Sequence, residues 1–79
     1  MRNLGPKSRK LLNQIGIHSR ENLQQLGAVA VYLKLREQHS DVTLNMLWAL
    51  QGAILDCHWN DLPLEMKSEL KQQVSEALS

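Results

Sequence analysis

The chain reads as an all-α domain, a compact bundle of about five helices. Three observations predict this. Apolar residues recur at spacings of three and four in five segments separated by Gly, Pro or polar turns, and no segment alternates with period two. The core must be built from Leu, Ile, Val, Ala and Met, because Tyr32, Trp48 and Trp59 are the only aromatics and Phe is absent. Such residues suit packed helices. With 79 residues the chain is expected to be one domain, 1–79, that buries only about 60% of its unfolded surface; dimerisation would add stability.

The first helix is expected over Pro6–Gln14. Pro6 suits an opening turn, Leu11, Leu12 and Ile15 line one side, and Gly16 ends the helix in the left-handed conformation that only Gly adopts cheaply. Lys7, Lys10 and Gln14 share a separate polar face. The second helix is short, Arg20–Gln25, with Ser19 as N-cap, Leu23 and Leu26 pointing inward, and Gly27 as its stop. The third, Ala28–Gln38, carries Val29, Tyr32, Leu33 and Leu35, with Lys34, Arg36 and Glu37 outside. The fourth, Thr43–Leu55, has Leu44, Leu47, Trp48, Ile54 and Leu55 on one stripe, while Met46, Leu50 and Ala53 spread apolar character round it. So apolar a helix belongs at the centre of the domain or of a dimer. Asp56–Leu62 reads as a connector, after which Pro63 starts a fifth helix whose inner line is Met66, Leu70, Val74, Ala77 and Leu78.

Composition narrows the function. An apolar fraction of 43% and a charged fraction of 22% are those of a folded domain and not of a disordered one. The first residues have no apolar signal-like run, and no stretch approaches the roughly 18 apolar residues of a membrane span, so a cytoplasmic protein without membrane contact is expected. The single cysteine, Cys57, agrees with a reducing compartment. The net charge of +1 hides an asymmetry. Residues 1–20 hold Arg2, Lys7, Arg9, Lys10 and Arg20 and no acid, giving +5, against −2 over 21–60 and −2 over 61–79. Charge so divided points to an anionic partner for one end of the molecule.

The basic end is also where a backbone anion site would form. The N–H groups of a first helical turn have no partner within the helix, and the helix dipole places partial positive charge there. In this reading the N–H groups of Lys7 and Ser8 meet a DNA phosphate, Gly5 permits close approach, Lys7, Arg9 and Lys10 add charge, and Ser8 adds a hydroxyl. Contacts of this kind position a protein without reading bases. The alternative is a plain helix start with solvated lysines. Gly16, Ile17 and Ser19 admit a second amide site, although a structural turn accounts for all three.

Four segments in one order, NLGPKS at Asn3–Ser8, IGIHSRENLQQLGA at Ile15–Ala28, VTLNMLWALQGAI at Val42–Ile54 and HWNDLP at His58–Pro63, resemble the C-terminal domain of the TfoX/Sxy family, bacterial regulators of DNA uptake competence. The first two also look like the helix-hairpin-helix elements of DNA repair proteins and of the C-terminal domain found in the α-subunit of RNA polymerase. The resemblance implies an all-helical fold, a link to competence or transcription control, and contact with double-stranded DNA or with a transcription-machinery protein. It implies no enzyme and no cofactor. Two departures stand out. The chain starts at Met1 directly on the hairpin, so a form without the separate N-terminal domain is expected; and Asn3 replaces the first Gly of the usual Gly-x-Gly.

Other chemistry finds little footing. Cys57 and His58 are adjacent, but zinc needs four suitably spaced ligands, and His18 and His39 do not supply them. Cys57 reads as a small, partly buried apolar residue. The acids are scattered, which disfavours acid/base catalysis. Trp48, on the apolar stripe, reads as a core residue whose removal costs roughly 3–5 kcal/mol; Trp59, beside polar residues, is more open to a base or partner. Two functions therefore stand: a DNA-associated accessory module acting through Gly5–Lys10, or a protein-interaction or dimerisation module whose basic end is incidental.

Overall fold

The structure, a computed structural model, describes residues 3–79; Met1 and Arg2, the latter one of the basic residues counted above, lie outside the described residues. Within them the fold is an all-α bundle of five helices: α1 (Pro6–Gln14), α2 (Arg20–Leu26), α3 (Ala28–Gln38), α4 (Leu44–Leu55) and α5 (Leu64–Leu78), with a 3-10 turn at Trp59–Asp61. The expected bounds of α1 and α3 are met. The others move by one residue, since α2 continues to Leu26, Thr43 caps α4 from outside, and Pro63 precedes α5.

Helix α4 is central, packing against α2, α3, α5 and the 3-10 turn. Its buried line is Leu47, Leu50 and Ala53, spaced three apart and so within one arc of a helix that turns about 100° per residue. Trp48 lies next to that arc and is half-buried rather than in the core. Leu55, in the last turn, is 46% exposed, and Leu26, the last residue of α2 before the glycine stop, is 45% exposed. Both were expected inside. Leu55 points away from the arc of Leu47, Leu50 and Ala53, and Leu26 is the last residue of its helix.

From α3 the core receives Ala28, Val31, Tyr32 and Leu35, with Val29 and Leu33 half-buried at its edge. From α5 it receives Leu70 and Val74, with Met66 packed alongside. The inner line of α5 stops there. Ala77 and Leu78 are exposed, lining an open groove whose α3 side is Leu33, Arg36 and Glu37.

Two glycines shape the turns by their backbone. After α1 the N–H of Gly16 (φ +87°) donates to Asn13 O at 3.2 Å and that of Ile17 to Leu12 O at 2.9 Å. This paired closure brings Ile17 onto Leu12, both buried. Gly27 (φ +84°, ψ 155°) ends α2 and begins α3 in a conformation that L side chains rarely adopt.

The two sides of α4 differ in what they contribute. Leu50→Ala is expected to cost about 2–5 kcal/mol, as for a fully buried leucine, whereas Trp48→Ala costs about 1–2 kcal/mol, as for a half-buried contact. Urea unfolding of the two variants checks the order; a larger loss for Trp48→Ala would place its ring in the core.

Candidate nucleic-acid interface

Helix α1 begins without a side-chain cap. Gly5 holds the N-cap position in extended conformation (φ −79°, ψ −178°), Pro6 follows at the first helical position, and the first backbone bond of the helix runs from Arg9 N–H to Gly5 O at 3.0 Å. The N–H groups of Lys7 and Ser8 precede that bond, and no hydrogen bond reaches them among the described residues. Lys7, Arg9 and Lys10 are exposed and Ser8 is half-buried. All five candidate residues, Gly5, Lys7, Ser8, Arg9 and Lys10, therefore fall within about one and a half turns. Leu12 turns the opposite side of α1 to the core.

Gly5 has no internal reason to be glycine. Its φ is ordinary, and a Cβ added there would meet nothing within 4 Å. A side chain at this position would be felt by a molecule approaching from outside.

Besides the burial of Leu4 and Leu12, the start of α1 is tied down by Asn3, which takes up the left-handed conformation (φ 69°) that glycine would otherwise supply. Its side-chain amide donates to Cys57 O at 2.8 Å, and its Oδ1 accepts from the Trp59 N–H at 3.1 Å. The segment before α1 is thus bonded to the chain after α4. Gly52 makes this possible: a Cβ there would lie 2.8 Å from Cys57 O and 3.3 Å from Trp59 Cα, and would also run into the Asn3 amide. Nothing in the sequence pattern singled out this clamp; a helical glycine inside an otherwise apolar α4 was its only trace.

Of the second amide site, Gly16 and Ile17 have their N–H groups bonded within the turn. Gly16 N–H and Ile17 N–H close the end of α1, His18 N–H donates to Asn22 Oδ1 at 3.1 Å, and Asn22 N–H donates to Ser19 Oγ at 3.1 Å. Those donors are consumed by the turn. Arg20, one of the basic residues of the hairpin, is also committed: its Nε and Nη2 donate to Ile54 O at 3.2 and 2.8 Å, joined by Gln24 Nε2 at 3.2 Å. A cation at the last turn of α4 suits the negative end of the helix dipole. The basic surface is accordingly that of α1.

Trp59 is less open than the sequence indicated. His58 stacks on it with ring centroids 5.7 Å apart, and Lys67 Nζ lies 5.5 Å from its ring and 5.9 Å from that of Trp48. Cys57 is a free, half-buried thiol. Among the described residues no group of three or more His, Cys, Asp or Glu comes together as a metal site.

The sequence profile of the TfoX C-terminal domain matches residues 1–74. The chain belongs to this family. Protein Sxy of Escherichia coli (strain K12) is 39% identical over 62 residues, which are 78% of this chain and 30% of Sxy; the chain thus spans less than a third of that relative. Two crystal structures share the fold. An uncharacterized protein from Listeria monocytogenes (triclinic form) superposes with a TM-score of 0.90 at 28% identity, covering all of this chain and 90% of its own. A protein of unknown function from Listeria monocytogenes (tetragonal form) gives 0.86 at 29% identity, covering 95% and 92%. The TfoX/Sxy family is one of regulators rather than enzymes, and the resemblance read from the four sequence segments is confirmed.

Gly52→Ala is expected to destabilise the domain by about 1–3 kcal/mol, as overpacking against backbone does. Thermal unfolding checks it, and an unchanged midpoint would mean that the clamp yields without loss.

Proposed function

We propose that this TfoX C-terminal domain is a non-enzymatic accessory module of the competence-regulator type that contacts DNA phosphates through the start of α1. The observation that carries the reading is the uncapped first turn. Two backbone donors, at Lys7 and Ser8, have no partner among the described residues, and Lys7, Arg9 and Lys10 surround them exposed to solvent. A phosphate would accept from those donors and be held by the cations. Gly5, which has no side chain in the way, would let the phosphate come close to the backbone.

The contacts carry no base information, so binding would be weakly dependent on sequence and steeply dependent on salt. A cytoplasmic setting fits the free thiol of Cys57. No helix among the described residues is long and apolar enough to cross a membrane.

Fluorescence anisotropy of a labelled duplex tests the proposal. Binding is expected to weaken as salt rises, and the Lys7→Glu/Lys10→Glu variant to bind little and to lower the slope of log affinity against log salt by about 2. Its helical circular dichroism should be unchanged, because both lysines lie away from Leu12. Gly5→Ala should weaken binding severalfold while changing stability by less than about 1 kcal/mol. No binding of the wild type at low salt would refute the phosphate reading and favour a protein partner.

A further inference from the structure

Lys7 and Ser8 have a second surface to serve. Between α1 and the chain around the start of α4 lies an open cleft of about 400 Å³, with Lys7, Ser8 and Leu11 on one wall and Asp41, Asn45 and Met46 on the other. Val42 and Ala49 add to its apolar lining, and Asn3 and Trp59 complete it. The volume falls in the range of small-molecule clefts, about 300–1,000 Å³.

We propose that this cleft receives one unstacked base of single-stranded DNA, with the adjoining phosphate on the Lys7–Ser8 turn. The inference rests on the phosphate reading above and adds the form of DNA that is preferred. A duplex keeps its bases stacked inside and has no use for an apolar recess beside a phosphate contact. A single strand presents both a charged backbone and free base faces, the two chemistries this surface places side by side. Lys7 in the lining, with Arg9 and Lys10 exposed on the same helix, selects a polyanion over an apolar peptide. Trp59 is fixed in the wall by its N–H bond to Asn3 Oδ1, and with His58 stacked on its ring and Lys67 over it, a base meets the part of Trp59 that lines the cleft and not a fully open face. Met46 adds a polarisable thioether. The Asp41 carboxylate, the one acid of the lining, accepts hydrogen bonds and cannot donate them; cytosine offers it an exocyclic amino group, whereas thymine's one donor, N3–H, lies between two carbonyl oxygens that repel a carboxylate, so cytosine is favoured over thymine.

The experiment compares anisotropy titrations of labelled 12-mers of dC and dT and a 12-bp duplex at one low salt concentration. The dC strand is expected to bind about tenfold more tightly than the duplex, within the range that one base–aromatic contact supplies, and the dT strand more weakly than dC. Ala49→Leu, which adds apolar bulk to the cleft and changes no charge, should remove about tenfold of dC binding and leave duplex binding unchanged; its melting curve establishes that it folds. Asp41→Asn, at an exposed position, should narrow the difference between dC and dT. Duplex binding equal to or tighter than dC binding, or equal loss of both in Ala49→Leu, overturns the cleft while leaving the phosphate reading intact. Absence of binding to every probe overturns both.

Discussion

The structure depends on surrounding one helix. Leu47, Leu50 and Ala53 of α4 have almost no contact with water, and a helix that apolar has to be covered from several directions at once. In 79 residues this leaves no room for a second core, so α2, α3, α5 and the 3-10 turn are arranged by their obligation to α4. A domain of this size has a stability of the order of 4–12 kcal/mol, and a single leucine of that line represents a large share of it.

The polar groups follow from the same arrangement. Helices as short as α1 and α2 leave many unpaired backbone groups relative to their length, and the chain settles most of them with its own groups. Ser19 caps α2, the end of α1 is closed by Gly16 and Ile17, and the carbonyl of Ile54 at the end of α4 is met by Arg20 and Gln24. Both helices of this hairpin keep first-turn donors free among the described residues, at Lys7 and Ser8 in α1 and at Arg20 and Glu21 in α2. What sets the start of α1 apart is the positive charge of Lys7, Arg9 and Lys10, whereas Arg20 is turned to Ile54 O and Glu21 is acidic.

Most of the architecture was legible in the sequence because it is local. Helix starts and stops at Pro6, Gly16, Ser19 and Gly27 rest on backbone chemistry within a few residues, and so they could be read from a few residues. The inside of each helix was harder. Leu26, Leu55 and Leu78 look like core residues by spacing, yet each lies at a helix end where covering depends on a neighbour that spacing does not reveal. Trp48 failed for the same reason, since its surroundings are set by Lys67 on another helix. The candidate residues Gly5–Lys10 were placed together because they are adjacent in sequence. Asn3, Gly52 and Trp59 were not, being joined only by the fold across more than fifty positions.

That long-range junction changes what kind of object the basic turn is. A helix start carried on a flexible hairpin would present its amides in many orientations and would lose entropy on meeting a ligand. Here the residue just before the turn is bonded to backbone that follows α4, so the orientation of the amides is inherited from the assembled bundle. Excised as a peptide, residues 3–27 would keep their charges and lose their aim. The orientation of the surface therefore belongs to the folded domain and is lost when the domain unfolds.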